Sequence, residues 1–405
     1  MDLSFGPEHE RFREEVREFL AEHWPAGDGG PPPGAGQEAS FRALAIERGY
    51  VYRRIPRRYG GSEQPADPLR EDILRREFFA AGAPLGIPGV GPAMLVPTLL
   101  EHGSEEQREE FVAPTLRGEI RWCQGYSEPG SGSDLASLQT RAEPDGDEWV
   151  VNGHKIWTSS AHLADWMFGL FRTEPGEPRH AGISYLLLPM RQPGVEVRPL
   201  RQMTGTAEFN EVFFDDARTP LRNIVGRRGQ GWKVSRTTLV HERNMIGDPA
   251  RVQNLFSDLV ELARGARLGG RPALEDGGVR RRLVELEGYV RAQQYSGYRQ
   301  LSATAHGRED RTRLPTLMNK LYTTELVKRL LEFGYDLIDS DESLAAPDEN
   351  DARARLARSA NYPGGWTTQY LYAHGASIAG GSPNIQRNII GERGLGLPRD
   401  LRQTP

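Results

Sequence analysis

The apolar residues of this chain change period twice, from the three-and-four spacing of amphipathic helices to the alternation and short runs of strands, and back again. That order predicts an α+β fold in which a sheet domain is inserted between helical parts. Between Pro7 and Trp24 the residues Phe12, Val16, Phe19, Leu20 and Trp24 form one buried helical stripe. Pro25 to Gly36 is rich in proline and glycine and is predicted as a loop. Phe41, Leu44, Ala45 and Tyr50 resume the helical spacing, a break falls at Tyr59-Gly60-Gly61, and the pattern returns over Leu69 to Ala81 and Glu105 to Leu116. Residues 1–117 are therefore expected to form an N-terminal all-α domain.

From Ile120 onward β-branched and aromatic runs are divided by turn dipeptides. Asp145-Gly146 and Asn152-Gly153 flank Glu148-Trp149-Val150-Val151, which spells an antiparallel meander. Further strands are predicted over Trp166 to Arg172, Ile183 to Pro189, Val195 to Pro199 and Glu211 to Phe214, so residues 118–228 read as a middle β-sheet or barrel domain. After Gly229, helices are predicted over Val234 to Met245 or on to Leu262, and over Val279 to Ala305, Leu317 to Ile338 and Trp366 to Ser377. These suffice for a C-terminal four-helix bundle across 229–405. Gly265 to Gly278, Gly307 to Leu314 and Asp339 to Ala352 read as polar connectors. A last helix is expected to start at Ser382-Pro383, with Ile385, Ile389 and Ile390 inward.

Composition narrows the function. The 405 residues allow ample core without disulfide or metal staples. A net charge of -5 offers no attraction to nucleic acid. Mean hydropathy is -0.59, and no apolar run reaches the ~18 residues of a membrane span. The single cysteine, Cys123, forbids an intrachain disulfide and fits a reducing compartment, and the opening residues carry no secretory signal, so the chain is placed in the cytoplasm. Four lysines (Lys155, Lys233, Lys320 and Lys328) stand among 51 cationic residues, a bias that reads as genome composition. The histidines have no HExxH or paired spacing, so no metal is expected, and G-x-S-x-G, P-loop and strand-linked G-x-G-x-x-G motifs are absent.

Four segments could carry chemistry. Gln124 to Asp134, with its glycines, hydroxyls and exposed N–H groups, can ring a heterocycle or phosphate, although a solvated linker has the same makeup. Trp157-Thr158-Ser159-Ser160 ends a strand; the tryptophan can stack on a flat ring, but a lone strand aromatic more often packs in the core. Ala379 to Asn384 offers free N–H groups at a helix start, which is also what any helix start looks like. In His241-Glu242-Arg243 the surroundings are apolar enough to bury the carboxylate partly and raise its pKa toward that of a base; the competing reading is an exposed ion pair.

Taken together and in order, YSEPGSGSD (Tyr126 to Asp134), NGHKIWTSS (Asn152 to Ser160), FNEVFFDDARTP (Phe209 to Pro220) and NIQRNIIGERGLGLPR (Asn384 to Arg399) resemble the acyl-CoA dehydrogenase family over essentially the whole chain. The resemblance implies three domains in the order read above, FAD as cofactor and an acyl-CoA substrate at the flavin. It implies flavin contacts at Gln124, Tyr126, Ser127, Ser133, Trp157, Thr158, Ser159, Ser382 and Asn384, with Ser133 also near the thioester or CoA. The implied reaction is α,β-dehydrogenation, in which a base removes the α-proton, the β-hydride passes to flavin N5, and electrons leave to an electron-transfer flavoprotein.

Two departures sharpen the expectation. Where many members carry the catalytic glutamate before the Gly-Thr/Ser of the last motif, this chain has Gly380, whose N–H is left as a donor to the thioester oxygen. Other members place the glutamate before an arginine on the first bundle helix, which matches Glu242 as base, with Arg243 beside the substrate. The family's Arg-x-x-Phe-Gly segment, which grips the FAD of a neighbouring subunit, has no match near Val290 to Gln300. That loss resembles an actinobacterial branch acting in heteromeric pairs on sterol-derived acyl-CoAs. The expected assembly is a homo- or hetero-oligomer, dimer or tetramer. The alternatives are a non-catalytic or partner-dependent subunit, and an oxygen-using flavin oxidase or monooxygenase.

Overall fold

The computed structural model describes residues 6–24, 34–176, 178–247, 249–338 and 365–398. The chain divides into two compact units, Met1–Arg201 with Ala207–Glu242, and Gln202–Thr206 with Arg243–Pro405.

The first unit begins with helices α1 (Pro7–His23), α2 (Ala35–Glu47), α3 (Pro68–Ala80), α4 (Val96–His102) and α5 (Glu105–Arg117). Pro7 occupies the first turn of α1, where a missing N–H costs nothing, and Glu8 and Glu10 favour that end of the helix dipole. The predicted stripe packs as expected: Phe12, Val16, Phe19, Leu20 and Trp24 share a core with Phe41, Ala45, Ile73, Leu74 and Phe78. Asp67 caps α3 by accepting from Leu69 and Arg70 N–H at 3.1 and 3.0 Å, and Ser104 with Gln107 forms a capping box on α5. Helix α4 was not among the predicted helices; Pro92 stands before it and Pro97 within it. Both prolines sit in first turns: Pro92 opens a wide turn over Gly91–Leu95 and Pro97 opens α4 itself.

The same unit holds a sheet of β1 (Trp122–Gly125), β2 (Arg141–Asp145), β3 (Glu148–Ser159), β4 (Trp166–Arg172), β5 (Ile183–Pro189), β6 (Val195–Pro199), β7 (Phe209–Pro220) and β8 (Ile224–Val225). The order is β6-β7-β3-β2-β4-β5-β8, with β1 parallel to β4. Three strands fall on their predicted bounds. Asn152-Gly153, however, is no turn: β3 runs through it. The positive φ of Gly153, 145°, serves a bulge whose register shifts between Val151 and Gly153. Asn152 bonds the Asp216 backbone and side chain across the ladder, at 2.9 Å each, so a hairpin signal in sequence is here a bulge signal.

After β8 comes α6 (Gly231–Ile246), then α7 (Pro249–Gly265), α8 (Gly277–Ala305), α9 (Arg313–Leu337), α10 (Trp366–Ile378) and α11 (Pro383–Ile389). The predicted helix from Val234 does not run to Leu262; it stops at Ile246, before Gly247, where an added Cβ would stand 3.0 Å from the Arg243 carbonyl. The helices that share a core in the second unit are α7, α8, α9 and α10, through Val252, Leu259, Leu286, Leu326, Leu330 and Ala373 among others. Gly334 on α9 lets Trp366 of α10 pack against the α9 backbone, since a Cβ there would meet the ring at 2.2 Å. The Gly265 to Gly278 connector contains the short hairpin β9 (Arg267–Leu268) and β10 (Arg271–Pro272). The connector predicted over Asp339 to Ala352 lies outside the described residues, as do residues 25–33 of the first loop. No helix among the described residues is long and apolar enough to cross a membrane.

Candidate functional site

The first motif leaves the sheet from β1, which carries Gln124. Gly125 follows because the strand presses on its neighbour: a Cβ there would lie 2.2 Å from the Met167 sulfur. Tyr126 is then buried edge-on to Phe168 and Tyr185, with ring centroids 6.3 Å away in both cases. Its hydroxyl is buried beside those of Tyr185 and Thr238. Burial first, then Tyr185 and the charge of Glu242 among other causes, push its pKa well above the ordinary phenol value, so it stays protonated.

Ser127 ties the motif to β3, its carbonyl accepting from Ile156 N–H at 2.9 Å. Glu128 and Ser131 exchange backbone hydrogen bonds at 2.9 and 3.0 Å, closing a turn that leaves Gly130, Gly132 and Ser133 exposed. The loop is no solvated linker, for its base is fastened by a buried ion pair. Glu128 accepts from Gln139 N–H, Thr140 N–H and Lys155 Nζ at 2.7, 2.9 and 2.8 Å, and Lys155 donates also to the Tyr126 carbonyl at 3.1 Å. Burial lowers the Lys155 pKa to about 8 against the pull of Glu128. The Glu128 carboxyl, though buried, is held below the usual range, chiefly by the Lys155 charge and hydrogen bond.

The second motif sits at another irregularity of β3, between Lys155 and Thr158. Trp157 there has φ of 60°, a conformation that costs a non-glycine residue about 1–2 kcal/mol. Its indole is 59% exposed and touches Phe209 edge-on, so the core-packing reading fails. Thr158 is fully buried, and its Oγ1 has no partner. Asn210 holds the bulge by donating to the Thr158 and Glu208 carbonyls at 2.9 and 2.8 Å. Ser159 is half-buried and pairs with Phe209 on β7. Glu208, which sequence reasoning did not single out, has its pKa raised by burial against the opposing charge of His162.

Glu242 lies half-buried near the end of α6. One turn earlier, the buried Thr238 hydroxyl is 2.9 Å from Thr98 Oγ1 and 3.4 Å from the Tyr185 hydroxyl. Tyr126, Tyr185, Thr238 and Glu242 thus share one neighbourhood in the first unit. Burial, more than the nearby Arg54, lowers the pKa of His241.

Arg243, Gly380, Ser382 and Asn384 belong to the second unit. Arg243 is half-buried, and its carbonyl accepts from Gly247 N–H at 2.9 Å. Gly380 and Gly381 both have positive φ, 64° and 99°. Ser382 caps α11, accepting from Ile385 N–H at 3.5 Å, and the exposed Asn384 accepts from Arg387 at 3.2 Å. Behind them lie two buried side chains that sequence reasoning passed over. Lys320 of α9 donates to the Ser377 and Gly381 carbonyls at 2.7 and 2.8 Å, and Gln386 donates to the Gly380 and Gly381 carbonyls at 3.0 and 3.3 Å. The available signal was compositional: in an arginine-dominated chain, two of the four lysines are the buried ones, Lys155 and Lys320.

Comparison with known proteins covers the described units almost end to end. Residues 6–119, 123–217 and 229–395 match the N-terminal, middle and C-terminal domains of acyl-CoA dehydrogenases. The chain is 39% identical to the acyl-CoA dehydrogenase IpdE1 of Mycobacterium tuberculosis, over 97% of its own length and 99% of that protein's. It is similar to the crystal structure of the ChsE4-ChsE5 complex from Mycobacterium tuberculosis, at 27% identity and a TM-score of 0.76, over 98% of this chain and 100% of that one. It is also similar to the Tcur3481-Tcur3483 steroid ACAD, at 28% identity and a TM-score of 0.77, over 99% and 100%.

Proposed function

The chain belongs to the acyl-CoA dehydrogenase family, oxidoreductases acting on a CH–CH group, and we propose that it introduces an α,β double bond into an acyl-CoA with Glu242 as the base. The reading is supported by the position of Glu242 on α6, half-buried one turn after Thr238, whose hydroxyl is 3.4 Å from that of Tyr185, the ring packed edge-on to Tyr126 of the first motif. Glu242 takes the α-proton as the β-hydride leaves, and the vacated electron pair forms the C=C bond. When bound, FAD supplies the two-electron acceptor for that hydride.

The residues present fit FAD. Thr158 offers a buried hydroxyl with no protein partner, and Trp157 an indole face turned out of the sheet at a conformational cost. Gln124, Tyr126, Ser127, Ser133 and Ser159 in the first unit, and Ser382 and Asn384 in the second, are the further residues assigned to hold it. Tyr126, fixed in its protonated form, can donate a hydrogen bond but does not serve as a base near neutral pH. Ser133, Arg243 and the Gly380 N–H are assigned to the thioester and CoA.

The acyl group we propose is bulky and steroid-derived, supported by likeness to the steroid ACAD, with an electron-transfer flavoprotein as acceptor. A partner-dependent form of the same function is favoured by one feature: Val290 to Gln300, within α8, lacks the Arg-x-x-Phe-Gly segment. The test is anaerobic rapid mixing of the flavinated protein with butyryl-CoA, octanoyl-CoA and a steroid side-chain propanoyl-CoA, alone and co-expressed with a candidate partner. Bleaching by the steroid thioester is expected, slowed about 10²- to 10⁴-fold by Glu242→Gln. Undiminished bleaching in that variant would remove Glu242 from the role of base.

A further inference from the structure

The carbonyls of Gly380 and Gly381 both point into the protein, onto Gln386 Nε2 and, for Gly381, also onto Lys320 Nζ. The C=O and N–H of a trans peptide point in opposite directions. Turning these two carbonyls inward therefore turns the N–H groups of Gly381 and Ser382 outward, away from Lys320 and Gln386. Among the described residues neither N–H has a backbone acceptor. The positive φ values of both glycines show that the chain bends through the left-handed region to meet these donors.

Lys320 is 2% exposed and also donates to the Ser377 carbonyl in the last turn of α10, where a cation is favoured by the helix dipole. One compact ammonium thus joins the end of α10 to the Gly380-Gly381 bend. A guanidinium is planar and longer, and cannot occupy the same point between two converging carbonyls. That geometry accounts for a buried lysine in a chain that uses arginine almost everywhere else.

We propose that Lys320, seconded by Gln386, is a positioning residue: it sets the Gly380–Gly381 and Gly381–Ser382 peptide planes so that the N–H groups of Gly381 and Ser382 face the ligand. The ligand's identity rests on the function proposed above; the peptide orientation does not.

The test compares Lys320→Met with Lys328→Met, which removes a partly accessible ammonium paired with Glu325 on the same helix. Lys320→Met is expected to keep its helical circular dichroism, bind FAD about tenfold more weakly, shift the visible flavin bands and lose about 10- to 100-fold in kcat with a smaller change in KM. Lys328→Met is expected to match the wild type. A Lys320→Met protein with unchanged FAD affinity, flavin bands and kcat, altered only in melting temperature, overturns the proposal. Should it fail to fold, Gln386→Leu replaces it, with the same changes expected in smaller measure, and an unaltered Gln386→Leu overturns the idea. If the wild type itself binds no FAD, the functional reading fails, and a crystal structure of Lys320→Met decides the inference. A turned Gly381 carbonyl upholds it, and an unturned one refutes it.

Discussion

Replacing Lys155 by methionine keeps the length and apolar stem of the side chain and deletes the ammonium. The consequence follows from what remains around Glu128, a carboxylate 9% exposed that would lose its 2.8 Å charge partner. Breaking a buried pair from one side costs about 3–5 kcal/mol, because a charge is left buried without compensation. Two facts place this case near the lower end. Glu128 keeps its bonds to Gln139 and Thr140 N–H, and the lowered pKa of Lys155 shows that its own charge is buried at a cost. A loss of about 3 kcal/mol corresponds to a fall in melting temperature of about 6–12 °C for a unit of this size. The sign of the pH dependence is also set. With a folded pKa of about 8 against an ordinary 10.5, the unfolded state binds more protons than the folded one between those values. Wild-type stability from this group therefore rises across that window, so the gap to Lys155→Met should widen from pH 8 to 10. Urea unfolding at pH 7, 8, 9 and 10, with Glu128→Gln and the double variant to complete a cycle, measures both quantities. A single variant within 1 kcal/mol of the wild type at pH 7, or a gap that narrows with pH, would falsify the account of this pair.

Trp157→Gly should stabilise the flavin-free protein, because glycine removes a left-handed strain of about 1 kcal/mol, and should weaken FAD binding; thermal melts and flavin titration read the two effects separately. Thr158→Val should leave flavin-free stability unchanged or slightly raised, since the hydroxyl has no protein partner to lose, while flavin retention on dialysis falls. Acid should destabilise the first unit in a way Glu128→Gln does not. The folded Glu128 carboxyl titrates below the ordinary 4.5, so between those values the unfolded state binds more protons and stability falls as pH falls, which acid titration of the two proteins compares directly.

Elements whose signal is local were legible in the sequence, and elements set by tertiary context were not. Strands β4, β5 and β6 are bounded by apolar runs and were placed residue for residue. β7 runs on to Pro220 because its partner β3 is equally long, and the mostly polar run from Asp215 carries little strand signal of its own. Asn152-Gly153 has the chemistry of a tight turn, and only the pairing of Asn152 with Asp216 decides for a bulge. Trp157 looked like core because its exposure depends on a positive φ that no residue type announces. The motif residues themselves were located by resemblance, whereas the part played by Lys155, Lys320 and Gln386, which hold the motif loops from behind, shows in their buried contacts, and the rarity of lysine was the one hint the sequence carried for the first two.

The uneven exposure of the four lysines also makes the protein its own opening gauge. An acylating reagent added to the folded chain meets Lys233 at the surface and the partly accessible Lys328, while Lys155 and Lys320 wait until the structure around them breathes. Because Lys155 belongs to one compact unit and Lys320 to the other, peptide mass spectrometry over time would yield two separate opening clocks from a single unmodified sample. With four lysines in 405 residues, each side-chain adduct can be counted and placed without engineering.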